Sequence, residues 1–141
     1  MMRQYAEVTP LAERLAAQFL PGKLTVVLKP KNLPSELGTH TGEIGIRIPN
    51  HPIPLQIVRE LGRPITATSA NVSGMPQMHT VPEILAQFGD KAPLIIEVHD
   101  VGTLPPSLPS TVVDARGTEP IILREGAVSR DEIMTLQRIE L

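Results

Sequence analysis

Short apolar runs, each cut off by proline or glycine, leave this chain few folds to choose from. Leu24-Thr25-Val26-Val27-Leu28-Lys29 follows Pro21-Gly22 and stops at Pro30, and Ile44-Gly45-Ile46-Arg47-Ile48 stops at Pro49. Leu94-Ile95-Ile96-Glu97-Val98 and Ile121-Ile122-Leu123-Arg124 each begin directly after a proline. Runs this short and this rich in β-branched residues read as strands. With 15 Pro and 10 Gly to punctuate them, many short elements with tight connections are expected, which suits an α/β protein better than a helical bundle. Between the runs, apolar residues recur at helical spacing. Thr9 caps a helix with Pro10 at its first position, Leu11, Leu15, Ala16 and Phe19 share one face, and Pro21-Gly22 stops it near Leu20. Pro54 to Leu61 predicts a helix with Leu55, Val58 and Leu61 inward. Thr80 caps Val81 to Phe88, and Ser129 caps a last helix with Ile133 and Leu136 inward. Ser110 to Asp114 and Ile121 to Arg124, joined by a turn around Gly117, read as a hairpin. The sum is one α/β domain with an open, twisted, mixed sheet and flanking helices.

Composition removes several classes of function. A chain of 141 residues supports one modest core, and 41% hydrophobic residues with a net charge of −2 mark a globular protein. Aromatic residues make up 2%, so the core must be aliphatic and a base-stacking platform for single strands is excluded. Without cysteine there are no disulfides and no thiolate metal sites. No apolar run reaches membrane-spanning length and the first residues do not resemble a signal peptide, so a cytoplasmic protein with no membrane contact is expected. His40, His51, His79 and His99 are scattered through turn-like contexts and read as surface residues rather than metal ligands. Neither a Walker loop nor a dinucleotide fingerprint is present, and Ser69 lacks the setting of a nucleophile elbow. No residue is assigned as nucleophile, general base or metal ligand.

Two features do suggest a ligand site. Pro64-Ile65-Thr66-Ala67-Thr68-Ser69-Ala70-Asn71-Val72-Ser73-Gly74 reads as a short buried strand that ends in a loop of small hydroxyl and amide side chains. Open α/β sheets build pockets where strands end in this way. Arg47 and Arg124 emerge from apolar strands, where an unpaired charge is costly. Each needs a partner. A protein carboxylate such as Asp114 or Glu125 would serve, and the planar fork of arginine serves a carboxylate or phosphate ligand equally well.

Five segments, in this order and spacing, resemble the YrdC family, the threonylcarbamoyl-AMP synthases. They are Pro21-Gly22-Lys23-Leu24-Thr25, Ile44 to Pro49, Ala67-Thr68-Ser69-Ala70-Asn71 with Ser73-Gly74, Pro109-Ser110-Thr111-Val112-Val113-Asp114, and Ile122-Leu123-Arg124-Glu125-Gly126-Ala127. The resemblance runs from about Tyr5 onward. It implies a twisted mixed sheet around a concave, positively charged face. It also implies a nucleotidyltransferase that makes threonylcarbamoyl-adenylate and pyrophosphate from L-threonine, bicarbonate and ATP, the product serving threonylcarbamoyladenosine modification of tRNA. Carried over by position, Arg47, Ala67 and Ser110 would bind threonine, and Ser69, Arg124 and Gln77 would bind ATP. Magnesium would enter with the nucleotide, held by phosphates and water, with no other cofactor. Double-stranded RNA or tRNA and other tRNA-threonylcarbamoylation proteins are the implied partners.

The sequence also departs from the family pattern. Roughly sixty to seventy further residues usually precede such a domain, a share set by ordinary domain size, and they carry a Tyr-Gly-Leu turn and a Lys-x-Arg motif that bind ATP and threonine. Neither is found here, so the chain is expected to be a single YrdC-like domain, 1–141, incomplete on its amino-terminal side. Glu43 stands where the family usually has threonine, in the nucleotide site, and Lys23 where it often has proline. The alternative expectation is a non-catalytic, shortened module that binds double-stranded RNA or a protein partner. An exposed sheet edge would then invite pairing with a second copy as a homodimer.

Overall fold

The computed structural model describes residues 1–33, 42–76, 78, 80–91 and 108–138. Its elements run α1 (Met2–Tyr5), β1 (Ala6–Glu7), α2 (Pro10–Phe19), β2 (Leu24–Pro30), β3 (Ile44–Ile46), α3 (Pro52–Leu61), α4 (Val81–Phe88), a single 3-10 turn (Gly89–Lys91), β4 (Thr111–Asp114), β5 (Ile121–Arg124) and α5 (Arg130–Arg138). They divide into two compact units, one of residues 1–64 and 107–141, the other of 65–106.

The first unit holds an open, mixed sheet of five strands. Central β2 runs parallel to β4, with Leu24 beside Thr111 and Val26 beside Val113. β3 pairs antiparallel on the other side of β2, Val27 beside Gly45, and β1 pairs antiparallel at the far end of β2, Glu7 beside Lys29. β5 lies antiparallel to β4, as the hairpin reading requires, with an irregularity between Val112 and Val113.

Side-chain alternation then sorts the residues. Leu24, Val26 and Leu28 of β2 are fully buried together with Val113 and Ala115, against Leu11, Ala12 and Leu15 of α2 and Ile133 of α5. Burying each such leucine is worth about 2 kcal/mol. The cap of α2 is the expected one: Thr9 Oγ1 accepts from Ala12 N (3.1 Å). The same hydroxyl donates to the Ala115 carbonyl (2.6 Å), so the cap also fastens the helix to the chain leaving β4.

Several expectations need correction. Pro64 to Ser69 forms no strand, and the segment is exposed rather than buried. It is β-branched in part, but among the described residues it has no strand to pair with, and propensity alone does not make a sheet. α3 begins earlier than expected, at Pro52, and Leu61 is exposed rather than inward, while Leu55 and Val58 are half-buried. β3 ends at Ile46, before Arg47. The predicted strand Leu94 to Val98 lies outside the described residues, as does most of the expected loop from Pro30 to Gly42.

In the second unit, α4 carries the predicted Thr80 cap, which Glu83 completes as a capping box. The Thr80 hydroxyl caps Glu83 N while the Glu83 carboxylate accepts from Thr80 N (3.1 Å).

Candidate functional site

The second face of the sheet carries Thr25, Val27, Gly45, Val112 and Asp114, the residues that alternate with the core set. At one end of this face stand Ser110, just before β4, and Arg124, the last residue of β5. Arg124 Nη2 donates to the Ser110 carbonyl (2.8 Å) and to Ser110 Oγ (3.2 Å), and its Nε reaches the same carbonyl at 3.3 Å. Ser110 Oγ also lies 2.9 Å from Thr25 Oγ1 across the β2–β4 pair. Ser110 is thus buried, at 8% exposure, and held from both sides.

The backbone that carries Ser110 is locked by its neighbour. Thr111 is fully buried, and its hydroxyl donates to the Val128 carbonyl (2.6 Å) while accepting from Gly126 N (2.9 Å) and Val128 N (3.0 Å). Ala127 N donates to the Pro109 carbonyl (2.9 Å), closing the contact from the other side. Gly126 is needed here, because a Cβ on it would come within 2.4 Å of the Pro109 carbonyl oxygen and 2.8 Å of Thr111 N.

Arg47 stands just past β3. The last pair that joins β3 to β2 is Val26–Ile46, one residue before it. Its Nε donates to the Gly22 carbonyl (2.9 Å), and Gly22 N donates to the Ile48 carbonyl (2.8 Å). Lys23, next in line, accepts at its carbonyl from Thr111 N (3.0 Å). Residues 22–25 therefore bridge the Arg47 side and the Ser110 side of one sheet end. Arg47 is exposed, and the terminal nitrogens of its fork have no partner among the described residues. Both protein partners considered for the arginines are committed elsewhere. Asp114 is gripped by Arg116, through Nε (2.9 Å) and Nη2 (2.6 Å), and Glu125 accepts from Arg130 N (3.3 Å).

The Arg116 hydrogen bonds hold the Asp114 carboxyl below its ordinary range against the opposing effect of burial. Arg116 Nη1 also meets Glu43 Oε2 at 3.1 Å. The carboxylate that departs from the family pattern thus stands beside a guanidinium rather than unopposed.

The structure brings Ser110 and Arg124 into direct contact and sets Arg47 on the same end of the sheet. Ala67 and Ser69 belong to the second unit, both exposed, with the Ser69 carbonyl accepting from Asn71 N (3.0 Å). The loop after them is pinned to α4. Gln87 Oε1 accepts from Val72 N (2.7 Å), Gln87 Nε2 donates to the Pro76 carbonyl (3.2 Å), and Asn71 Nδ2 donates to the Met75 carbonyl (2.9 Å). Gln77 lies outside the described residues. Among the described residues no group of three histidine, aspartate or glutamate side chains is placed to hold a metal ion, and no helix is long and apolar enough to cross a membrane.

Sequence reasoning missed Thr25, Thr111, Gly126 and Arg116. Thr25 had a visible signal, a lone hydroxyl inside an apolar run. Arg116 had none, since its link to Glu43 joins residues far apart in the chain.

Residues 1–126 match the family model of Sua5, YciO and YrdC, described as telomere recombination. A Methanocaldococcus jannaschii protein with a provisional threonylcarbamoyl-AMP synthase name is 39% identical over 129 residues, covering 90% of this chain and 58% of that protein. Pyrococcus abyssi Sua5, in its crystal structure complexed with L-threonine, superposes with a TM-score of 0.80 at 32% identity, over 94% of this chain and 39% of that one. The crystal structure of Escherichia coli YciO gives 0.77 at 29% identity, over 93% and 63%. The chain spans a little over half the length of the M. jannaschii relative and less of the P. abyssi one. On the match over residues 1–126, with the superpositions on Sua5 and YciO beside it, the chain belongs to the Sua5/YciO/YrdC family.

Proposed function

We propose that this chain supplies part of the active site of a threonylcarbamoyl-AMP synthase. The observation that carries the reading is Arg47, a guanidinium fixed through Nε to the Gly22 carbonyl with the rest of its fork uncommitted among the described residues. That is the arrangement a carboxylate ligand requires. Arg47 would take the threonine carboxylate beside Ser110, and Arg124, whose Nη1 makes no bond to Ser110, would face the nucleotide. The assignments of Ala67 to threonine and of Ser69 and Gln77 to ATP rest on the resemblance alone. P. abyssi Sua5 binds L-threonine in its crystal structure, which supports threonine as the amino acid here.

In the proposed reaction the threonine amine and bicarbonate condense to a carbamate with loss of water. A carbamate oxygen attacks the α-phosphorus of ATP, the bond to the bridging oxygen breaks, and pyrophosphate leaves. Such a displacement depends on positioning and charge neutralisation rather than on a side-chain nucleophile. A site of arginine, serine and backbone is enough for that role. Magnesium would arrive with the triphosphate. The adenylate would then be passed to tRNA modification, and bicarbonate, tRNA and the other modification proteins complete the proposed set of partners.

The test is calorimetry with L-threonine, followed by pyrophosphate release with threonine, bicarbonate and Mg-ATP. Arg47→Ala is expected to lower threonine affinity at least tenfold, in line with the worth of a charge-assisted bond. Lys31→Ala is expected to leave it unchanged. Equal affinities for wild type and Arg47→Ala would overturn the reading.

A further inference from the structure

We infer that Thr25 is a ligand-contacting residue, which presents the hydroxyl proton that pairs with Arg47 in holding the carboxylate. The inference rests on the threonine-binding reading of this sheet end and adds a residue to it. Thr25 and Ser110 place their hydroxyl oxygens 2.9 Å apart, so one of their two protons lies between them and one remains for another acceptor. The geometry allows either hydroxyl to be the donor, and the inferred arrangement has Ser110 donating to Thr25. Arg124 Nη2 donates into Ser110 Oγ at 3.2 Å, and Ser110 is buried, at 8% exposure. In that arrangement Ser110 Oγ accepts from Arg124 and donates its own proton to Thr25 Oγ1. The Thr25 proton is then the outward one. Arg124, Ser110 and Thr25 form a chain of donors that all run the same way, each polarising the next, with a formal positive charge at its head.

Two further observations orient Thr25. It is half-buried, more open than Ser110. Its methyl carbon Cγ2 lies 3.1 Å from where a Cβ of Gly45 would be, so the methyl occupies the space that glycine leaves. A β-branched side chain has few χ1 choices, and a methyl seated over Gly45 fixes the rotamer with Oγ1 toward Ser110. Arg47 is held to the Gly22 carbonyl, three residues before Thr25, at the same end of the sheet. In the inferred arrangement a carboxylate on the free end of the Arg47 fork takes the Thr25 hydroxyl as its neutral donor.

The experiment is calorimetric titration of the full chain with L-threonine and with L-threoninol, which lacks the carboxylate. Wild type, Thr25→Val, Thr25→Ser and Arg47→Ala are compared. Thr25→Val keeps the shape and the methyl but has no proton to give, and is expected to bind L-threonine about tenfold more weakly. Thr25→Ser is expected to stay within about threefold of wild type, since it keeps the donor. L-threoninol should bind wild type and Thr25→Val alike, which a general loosening of the strand would not produce. Thr25→Val binding L-threonine as wild type does, while Arg47→Ala loses it, would overturn the inference alone. Equal losses in Thr25→Val and Thr25→Ser would also overturn it. Wild type failing to bind L-threonine would overturn the substrate reading and the inference together.

Discussion

Gly126 has no room for even a methyl group. Its Cβ would stand 2.4 Å from the Pro109 carbonyl oxygen and 2.8 Å from both the Ser110 carbonyl carbon and Thr111 N, all of them backbone atoms. Backbone cannot rotate out of the way as a flexible side chain would, so Gly126→Ala must displace the 109–111 segment or the turn that faces it. Overpacking of this kind costs about 1–3 kcal/mol. The displaced segment includes Ser110, so the same variant should also weaken L-threonine binding. Urea unfolding measures the first effect and calorimetry the second; an unchanged unfolding midpoint would mean that the turn takes the methyl without strain. At this scale the sequence was only partly readable. Arg47 and Arg124 stood out because charge inside an apolar run demands a partner. Their partners did not, because Gly22 and Ser110 contribute carbonyl oxygens, and every residue has one. Asp114 read as a match for Arg124, but Arg116, two residues away and across a turn, holds it with three side-chain hydrogen bonds.

Helix ends were the most legible elements, because a cap is a local device. Thr9-Pro10 and Thr80-Val81-Pro82-Glu83 each announce a helix within four residues, and the structure starts α2 and α4 there. Ser129 does the same for α5, its hydroxyl and N–H both bonded to Glu132, whose carboxyl is held below its ordinary range by the hydroxyl. Strands were less legible. β2 and β4 have strong apolar runs and were found, whereas β1 spans two residues, too few to show alternation. The run from Pro64 had the composition of a strand without a described partner, and pairing is not a property of one segment. The hydroxyls of Thr80 and Ser129 donate within their own helices, whereas that of Thr9 donates outside its helix, to the Ala115 carbonyl. Thr9→Ala is therefore expected to cost about 2 kcal/mol, the upper end for a cap. Thr9→Ser should recover most of that, since it can make both bonds. Chemical denaturation of the three proteins decides it, and a Thr9→Ala protein as stable as wild type would remove the cap from the account of how α2 is held to β4.

Across the whole molecule, burial is distributed unevenly. The first unit has Leu15, Leu24, Leu28, Ile133, Val26, Val113 and Thr111 fully buried around β2 and β4. In the second unit no described residue falls in the buried class; Val81, Ile84, Gln87 and Phe88 of α4 are half-buried and Leu85 is 47% exposed. Among its described residues, the capping box and side-chain bonds from Gln87 and Asn71 hold the local structure, and these are exposed to water and so worth little each. Local opening free energy follows buried apolar contact, so the two units should exchange amide hydrogens by different routes. Amides of β2 and β4 are expected to exchange only through global unfolding, with rates that rise steeply as urea is added. Amides of α4 are expected to exchange faster by several orders of magnitude, with rates that hardly respond to low urea, because little surface is exposed when a short helix frays. Native-state exchange followed by NMR reads both slopes in one experiment. If α4 amides instead fell on the same urea line as Val26 and Val113, the second unit would be folding and unfolding with the first as one cooperative body, and the buried core around β2 would be supporting far more of the chain than its side-chain contacts account for.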